Sequence, residues 1–539
     1  MLDVAGKTID AVFDAAVARY GANDLLVLPS DEERAYHRPG FRATYAEAGA
    51  AVGEMRAALR AAGYGHGHRV ACLLANRPEM LLLKLAMNGL GVSWVPINPD
   101  YRPAEMAYVL QDSAADLVVA APDLRDLAAA AVQESGRAAP LLVYDAGPFA
   151  PPPAGRPAPL PGAIAPEGEA SLLYTSGTTG RPKGCILSHE YELEVGRWYA
   201  ATGGLMALRE GRDRLYNPLP LFHLNAAIVS FFGMMLTGNC QIATDRFSAR
   251  KWWPEIRETG ANAVHYLGVV APVLMNLPEG PDDRRHGVRW GAGAGLEPTL
   301  HRPFEERFGF PLIELWGMTE MCRIVSAAEE PRQIDTRAFG RPRPGLEVRV
   351  VDGEDRDVPV GEAGEMLVRH SAETPRRGAF SGYLNLPEAT EAAWRGGWFH
   401  TGDAVRQDET GMLYFVDRMK NIIRRSGENI AAAEVEACLH GCPNVAQVAV
   451  LAIPDDLRDE EVMACIVAKG LEADAALARA IFDHAFRDLA YFKAPGWIVF
   501  VESLPVTGTQ KVQKHMLFRD GSDPRSLPTA HDFRALKKR

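Results

Sequence analysis

The chain has little that would place it in a membrane or cross-link it covalently. Its longest apolar stretch, residues 226–236, is far shorter than the roughly 20 residues that span a bilayer. The N-terminus has no basic segment followed by an apolar run, so no secretory signal is expected. Seven cysteines are scattered along the chain, an odd number that favours reduced thiols over a disulfide framework. We therefore expect a cytoplasmic protein without an integral membrane segment.

An excess of positive charge is also missing. The net charge is -11 at pH 7 and the pI is about 5.8. A general nucleic-acid binder normally has a basic face, so no nucleic acid is expected as a partner. A chain of 539 residues is too long for one hydrophobic core, and several folding units are expected. A homodimer is compatible with the sequence.

Alternating strand and helix patterns predict doubly wound α/β subdomains. Residues 69–76 have the pattern of a buried strand, residues 79–89 that of an apolar helix, and residues 92–99 that of a second strand. The same alternation returns after a proline-rich connector. We expect one α/β subdomain over residues 1–165 and a second over residues 166–333.

The pattern changes in the last third of the chain. Short strands and glycine turns predict a small β-rich subdomain over residues 334–417, which would complete an N-terminal domain of residues 1–417. Residues 421–539 are predicted to form a compact α+β unit. The expected fold is therefore α/β, with a large N-terminal portion and a small mobile C-terminal lid joined by a hinge at residues 418–420.

Residues 171–184, SLLYTSGTTGRPKG, combine an apolar run with a loop of glycines and hydroxylated residues that ends in a lysine. Glycines let the backbone approach an anion, hydroxyls donate hydrogen bonds, and the lysine adds a positive charge. The loop is not a Walker A motif, because Pro182 directly precedes Lys183. By composition alone an ordinary glycine-rich turn fits equally well. The predicted phosphate-binding residues are Thr175, Ser176, Gly177, Thr178, Thr179, Gly180 and Lys183.

The complete string resembles the phosphate-loop signature of the adenylate-forming superfamily: acyl-CoA synthetases, luciferases and peptide-synthetase adenylation domains. Six further segments follow in the order and approximate spacing of that family, so the resemblance covers nearly the whole chain. Residues 247–253, 424–430 and 457–461 look most like the crotonobetaine/carnitine-CoA ligase group. The resemblance implies an AMP-forming acyl-CoA synthetase that uses ATP, Mg²⁺ and CoA on a small-molecule carboxylic acid.

The resemblance also implies where the acid and the adenine bind. The segment Pro-Leu-Phe-His ending at His223 resembles the motif whose histidine lies beside the acyl pocket, and residues 291–295 resemble the turn that packs against adenine. Polar and apolar candidates for the pocket suit a short or medium acid with one polar substituent. The adenine-turn residues are Gly293, Ala294 and Gly295, and the acyl-pocket candidates are Asn225, His265, Tyr266, Leu267 and Val270, besides His223.

Two further segments carry the remaining ATP contacts that the resemblance implies. In residues 315–320, Trp316 would cover adenine, Thr319 would bond the α-phosphate, and Glu320 would offer a hard oxygen ligand to Mg²⁺. In the segment His-Thr-Gly-Asp, the carboxylate of Asp403 would accept bonds from both ribose hydroxyls, a task that suits an acceptor-only group. Arg418 would also reach the ribose.

The resemblance implies that the C-terminal part supplies a moving lid and a lysine. Lys420 would absorb the lid rotation, and Gly427 would line the tunnel for the pantetheine of CoA. The catalytic lysine would be Lys511, with Lys514 as the alternative, because Gln510 stands where the family usually has glycine.

Three other functions share parts of this pattern. A carrier-protein loading enzyme would have the same ATP motifs, although no carrier domain is attached. A luciferase-like oxygenase has no positive sign in the sequence. A non-catalytic nucleotide-binding regulator would be expected to have lost Glu320, Asp403 or Lys511, and all three are present.

Overall fold

A computed structural model describes residues 1–175, 182–425, 428–455, 458–470, 473–506, 512–518 and 522–537. The α-helices are α1 (Ile9–Tyr20), α2 (Tyr45–Ala61), α3 (Pro78–Asn88), α4 (Pro103–Ser113), α5 (Arg125–Ser135), α6 (His189–Ala200), α7 (Ser230–Leu236), α8 (Ala249–Thr259), α9 (Val270–Met275), α10 (Pro298–Phe308), α11 (Pro387–Ala393), α12 (Ala432–His440) and α13 (Ala475–Asp488). In the described part of the chain, none of them is long and apolar enough to cross a membrane.

The strands are β1 (Asp24–Leu28), β2 (Phe41–Thr44), β3 (Arg69–Leu73), β4 (Ser93–Pro96), β5 (Leu117–Ala120), β6 (Leu141–Val143), β7 (Glu169–Thr175), β8 (Lys183–Ser188), β9 (Arg214–Asn217), β10 (Cys240–Ala243), β11 (Ala263–Leu267), β12 (Trp290–Ala294), β13 (Leu312–Met318), β14 (Met321–Ser326), β15 (Ala338–Gly340), β16 (Glu347–Val351), β17 (Ala363–Arg369), β18 (Gly382–Tyr383), β19 (Phe399–Gln407), β20 (Leu413–Arg418), β21 (Ile422–Arg425), β22 (Glu428–Ala431), β23 (Val445–Asp455), β24 (Asp459–Ala468), β25 (Trp497–Phe500) and β26 (Ala530–Asp532).

The chain forms two compact units, Met1–Glu347 with Arg369–Phe399, and Val348–Val368 with His400–Arg539. The predicted β-rich subdomain, residues 334–417, is therefore divided between the two units. The predicted hinge at residues 418–420 lies within the second unit and stays a prediction.

The first unit contains two largely parallel sheets. One has eight strands in the order β14-β13-β12-β11-β9-β10-β1-β2, and the other has seven in the order β18-β8-β7-β4-β3-β5-β6. Their central strands are parallel and almost fully buried, which fits sheets covered on both faces by helices. The α/β fold predicted from the alternation of strands and helices is confirmed, including β3, α3 and β4.

The two sheets of the first unit interleave along the chain. Strands β1 and β2 belong to the same sheet as β9 to β14, whereas β7 and β8 extend the sheet built from β3 to β6. A division after residue 165 therefore does not separate the sheets. That division was based on the proline-rich connector and on the alternation that returns after it, and neither reveals which strands will be neighbours in a sheet.

A buried ion pair joins the helices that cover these sheets. Lys84 on α3 donates to Glu192 on α6 over 2.5 Å and to Asn88 over 2.8 Å, and the side chains of Lys84 and Glu192 are 0% exposed. Asn88 in turn donates to the carbonyl of Ala170 at the start of β7 over 2.7 Å. Burial lowers the pKa of Lys84, while the carboxylate of Glu192 opposes that change.

The second unit combines two sheets with two helices. Strands β20, β19, β17 and β16 lie side by side in one sheet, and β22, β21, β24, β25 and β26 form the other, with β23 also paired to β24. Helices α12 and α13 bury their apolar sides in one cluster with the second sheet, through residues such as Val435, Ile481 and Ile466. The predicted α+β character of the C-terminal part is confirmed.

The buried pair gives a prediction about stability. Replacing Lys84 with methionine would leave the Glu192 carboxylate buried without its cation, so we expect the free energy of unfolding to fall by about 3 to 5 kcal/mol. Replacing both residues, as Lys84→Met with Glu192→Leu, should recover most of that loss. Urea unfolding measures both. Lys251→Met, which removes a partly exposed partner of Asp31, is the control and should change little; an equal effect of the two lysine substitutions would contradict the prediction.

Candidate active site

Several of the sequence-predicted site residues of the first unit lie at one edge of the eight-stranded sheet. Strands β9, β11, β12 and β13 are neighbours and parallel, so their carboxyl ends lie at the same edge. The segments that begin with His223, Leu267, Ala294 and Trp316 lie at or follow those ends. Ligands of open α/β sheets bind outside the carboxyl ends of the strands, which makes this edge the candidate site.

The predicted adenine turn lies at the end of β12. Ala294 and Gly295 are exposed, and Gly295 has φ +83°, a conformation that favours glycine. A side chain at Gly293 would meet the carbonyl oxygen of Tyr266, because a Cβ there would lie 2.2 Å from that oxygen. Glycine is therefore required at Gly293 by close packing between β11 and β12.

Glu314, which the sequence analysis missed, holds this turn in place. Its carboxylate accepts bonds from the backbone N–H of Gly295 (2.9 Å) and Leu296 (3.2 Å) and from the hydroxyl of Tyr266 (2.6 Å). Burial raises the pKa of Glu314, an effect that its three donors oppose. The only local signal was an acidic residue within the apolar strand β13.

The predicted motif 315–320 forms the hairpin between β13 and β14. Met318 pairs with Met321, so Thr319 and Glu320 occupy the turn. Trp316 is 6% exposed and packs near Phe339, with ring centres 6.4 Å apart. The backbone carbonyl of Thr319 accepts a bond from the Tyr191 hydroxyl over 2.8 Å.

Tyr383, also missed from the sequence, brings this turn to the predicted phosphate loop. Its hydroxyl donates to Glu320 over 2.8 Å, and the Lys183 ammonium lies 4.8 Å from the centre of its ring. Tyr383 holds this position because β18 pairs with β8, where Tyr383 faces Cys185. The Glu320 carboxylate thus contacts the hydroxyl of Tyr383, and the Lys183 ammonium lies over its ring.

The predicted phosphate loop connects two antiparallel strands. Thr175 ends β7, Lys183 begins β8, and the two residues are paired. The Thr175 hydroxyl lies 3.8 Å from the Cys185 sulfur. Ser176, Gly177, Thr178, Thr179 and Gly180 lie outside the described residues, so their predicted phosphate contacts remain predictions.

Asn76 anchors the segment that carries His223. Its amide nitrogen donates to the carbonyls of Leu219 (3.1 Å) and Thr244 (3.0 Å), and its oxygen accepts from the N–H of Leu221 (2.8 Å). His223 is exposed, two residues beyond this anchor. Asn76 was not predicted; the only signal in the sequence was a polar residue three positions after the buried strand β3.

The acyl-pocket candidates on β11 point to opposite faces of the sheet, as neighbouring residues of a strand must. His265 is fully buried and bonded to Asn225 and to Tyr199, both over 2.7 Å. Tyr266 instead faces Glu314 and, with Val270, belongs to the apolar cluster on the other face. The third candidate, Leu267, is the last residue of β11 and is half-buried.

Burial lowers the pKa of His265 to about 3, so its imidazole is neutral at physiological pH. A single turn of π-helix, Asn225–Val229, carries its partner Asn225. Such turns often occur at functional sites, because they shift side chains out of the regular helical positions. The sequence predicted His265 and Asn225 as site residues, and the structure brings them together.

The second unit holds the predicted ribose-binding pair. Asp403 and Arg418 face each other on β19 and β20, with Arg418 Nε 2.8 Å from Asp403 Oδ1. Asp403 is 2% exposed, and its N–H donates to the Thr401 hydroxyl over 3.1 Å. Gly402, which lies between Thr401 and Asp403 within β19, has φ +67°, a conformation that favours glycine.

Asp417, next to the predicted hinge, was not predicted as a site residue. Its carboxylate accepts bonds from the Arg418 N–H (2.6 Å), the Asn421 amide (3.1 Å) and the N–H of Ala433 in the first turn of α12 (2.8 Å). The backbone of Lys420 lies in the short helical turn Met419–Asn421 between them. Gly427 and Lys511 lie outside the described residues.

Comparisons with known proteins agree with this reading of the motifs. Residues 28–384 match the family described as AMP-binding enzyme, and residues 434–511 match the one described as AMP-binding enzyme C-terminal domain. The chain is 32% identical to a sulfoacetate–CoA ligase of Cupriavidus necator, over 88% of the chain and 92% of that protein. It is 30% identical to a crotonobetaine/carnitine–CoA ligase of Salmonella arizonae, over 84% and 89% respectively.

A solved structure gives the same result for the fold. The ATP-bound MatB from Rhodopseudomonas palustris superposes with a TM-score of 0.78 at 25% identity, covering 95% of this chain and 99% of that one. The fold of this chain is therefore the one seen in that ATP-bound protein.

Asp403 provides a test of the predicted ribose contact. Asp403→Ala would remove a charge-assisted acceptor, so we expect ATP affinity to fall by roughly tenfold or more in a calorimetric titration. Glu409→Ala, which changes an exposed acid between β19 and β20, is the control and should leave the affinity unchanged. Full ATP affinity in Asp403→Ala would mean that Asp403 only supports the local structure of β19 and β20.

Proposed function

Because the chain belongs to the AMP-binding enzyme family, we propose that it activates a carboxylic acid with ATP and transfers the acyl group to CoA. The products would be an acyl-CoA, AMP and pyrophosphate, with an acyl-adenylate as the intermediate. As an AMP-forming acyl-CoA synthetase it would act on a small carboxylic acid. The relatives named above are ligases for sulfoacetate and for crotonobetaine or carnitine, which supports an acid of that size.

One observation carries the proposal. Tyr383 contacts both charged groups, because its hydroxyl donates to the Glu320 carboxylate in the turn after β13 and the Lys183 ammonium at the start of β8 lies over its ring. A cation and a hard oxygen ligand beside a loop of hydroxyls and glycines are what a triphosphate needs. The exposed backbone of Ala294 and Gly295 at the neighbouring strand end leaves room for a flat base.

The chemistry explains why such charges are needed. A carboxylate does not react with a thiol, because its carbon is electron-rich and its leaving group would be oxide. Attack of the carboxylate oxygen on the α-phosphorus of ATP forms a new P–O bond, breaks the bond to pyrophosphate, and turns that oxide into AMP. Two anions meet in this step, and one preorganised contact to them is typically worth roughly 3 to 4 kcal/mol. Lys183, Thr319 and, beyond the described residues, Lys511 would supply these contacts.

Glu320 fits the magnesium ion that accompanies ATP. Its carboxylate is a hard oxygen donor, and the Tyr383 hydroxyl fixes its orientation. Mg²⁺ bound there would neutralise phosphate charge during the attack.

The second half-reaction would require the C-terminal part to turn. The thiol of CoA attacks the acyl carbon of the adenylate, the C–S bond forms, and AMP leaves with the electron pair of the broken C–O bond. We assign the rotation to the backbone at Lys420 and the approach of the thiol to Gly427. The N–H of Ala433 in the first turn of α12 donates to Asp417 across this hinge, so a rotation at Lys420 would have to break that bond.

The products test the proposal directly. Purified protein with ATP, Mg²⁺, CoA and a panel of carboxylic acids should form AMP and pyrophosphate only when an acid is present, and acyl-CoA should accumulate in equal amount. Chromatography of the nucleotides and thioesters measures all of these products. Formation of ADP and phosphate instead of AMP and pyrophosphate would contradict the proposal.

The two half-reactions can be separated by substitution. Lys511→Ala should reduce adenylate formation by orders of magnitude and spare thioester formation from a supplied acyl-adenylate. Lys420→Pro should do the opposite, because it restricts the hinge without touching the first step. Quenched-flow chromatography of acyl-AMP and acyl-CoA follows each step.

Gln510→Gly and Lys514→Ala are the controls for the assignment of the lysine. Both should retain adenylation if Lys511 acts on the first step. Full adenylation in Lys511→Ala, with loss only in Lys514→Ala, would show that the wrong lysine had been assigned.

A further inference from the structure

In the buried polar network beneath the π-helical turn, the donor and the acceptor of each hydrogen bond can be assigned. The assignment begins at a backbone N–H, which can only donate. The N–H of Leu219 donates to Asn217 Oδ1 over 3.1 Å. Because a backbone N–H can only donate, the oxygen and nitrogen of the Asn217 amide cannot be exchanged. Asn217 Nδ2 then donates to Ser230 Oγ (2.9 Å) and to Asn225 Oδ1 (3.0 Å).

A second branch secures the same direction. Gln241 Nε2 donates to the carbonyl of Ala226 over 2.8 Å, which fixes Gln241 Oε1 as an acceptor. The single hydrogen of the Ser230 hydroxyl has that oxygen (2.7 Å) and the carbonyl of Asn225 (3.0 Å) as acceptors, so the Ser230 oxygen is left to accept from Asn217. Both hydrogens of Asn217 Nδ2 are thereby used at 2.9 and 3.0 Å, which are shorter than its 3.3 Å approach to His265 Nδ1.

The same assignment of donors and acceptors fixes the tautomer of His265. Asn225 Oδ1 can only accept, so His265 Nδ1, at 2.7 Å, is the nitrogen that bears the proton. His265 Nε2 is consequently an acceptor and receives the hydroxyl of Tyr199 over 2.7 Å. Burial keeps this imidazole neutral at physiological pH, so the direction does not reverse there.

The network leaves one group facing outward. Two donors occupy Asn225 Oδ1, and Asn225 Nδ2 makes no hydrogen bond to any residue that the structure describes. Asn225 is half-buried at the start of the π-helical turn, two residues after the exposed His223 and beside the strand β11 that ends at Leu267. The side chain therefore presents two N–H donors, with no cation in the network, at the carboxyl edge of the sheet.

We propose that Asn225 is a specificity-determining residue that donates these N–H groups to a hydrogen-bond acceptor on the chain of the acid. The substrate is then a short carboxylic acid with an accepting substituent, such as a second carboxylate, and an unsubstituted alkyl acid is a poor one. A site built to hydrogen-bond a substituent discriminates against the acid that lacks it, because the donors are left unpaired. This inference rests on the proposed function, since it concerns the acid that is adenylated.

The test compares matched acids with two variants. The acids have three, four and five carbons in three forms: unsubstituted, with a terminal carboxylate, and with a terminal ammonium. Asn225→Asp keeps the network, because a carboxylate oxygen accepts the same two bonds, but it replaces the outward donor by an acceptor. Asn225→Leu removes both the accepting oxygen and the outward donor. Asn276→Asp, on the exposed end of α9, controls for added charge.

We expect kcat/KM for pyrophosphate release to favour a dicarboxylate over its unsubstituted counterpart in the unaltered protein. This preference should fall roughly tenfold in Asn225→Leu. In Asn225→Asp it should fall further, and preference for the amino acid over the unsubstituted acid should rise by a similar factor. Asn276→Asp should change neither ratio. Thermal unfolding checks that each variant is folded, and Asn225→Asp alone carries the test if Asn225→Leu is not.

Selectivity ratios that stay unchanged in Asn225→Asp would overturn the inference, as would a preference for unsubstituted acids in the unaltered protein. If no acid of the series caused pyrophosphate release, the assignment of the substrate class would be overturned. A different result, the formation of ADP and phosphate with any acid, would overturn the proposed function.

Discussion

The buried carboxylate of Glu314 fixes three neighbouring parallel strands at the edge on which the candidate site depends. It lies on β13, it accepts from the hydroxyl of Tyr266 on β11, and it accepts from the two N–H groups that follow β12. An acceptor left without these donors would be costly at this depth, so the strand ends are held in register. The exposed turn at Ala294 and Gly295 is thereby presented in one conformation, as a base-binding surface requires.

Charged side chains and neutral polar side chains occupy different parts of the candidate site. Glu320 and Lys183 both contact Tyr383, whereas the groups around Asn225 and His265 are all neutral. Fixed charges beside the triphosphate stabilise the meeting of two anions. In our proposal, the neutral network with one direction of hydrogen bonding instead selects the substituent of the acid.

The motifs and the fold class could be predicted from the sequence, but the residues that hold the motifs in place could not. The alternation of strands and helices was enough for β3, α3 and β4, because burial on both faces leaves a continuous apolar pattern. Glu314, Asn76 and Tyr383 were missed, since each acts on residues far away in the sequence or across a strand pairing that no local pattern reports. The interleaving of the two sheets escaped prediction for the same reason, as strand periodicity carries no information on the neighbour.

The central claim is that the acid is joined to AMP at this edge, and the fate of the carboxylate oxygen tests it most directly. A preferred acid of the series would be supplied with both carboxylate oxygens as ¹⁸O, and the products would be analysed by mass spectrometry after one turnover with ATP and CoA. An acyl-adenylate predicts that one ¹⁸O atom appears in AMP and none in pyrophosphate. Label in pyrophosphate or in free phosphate, with unlabelled AMP, would contradict the account.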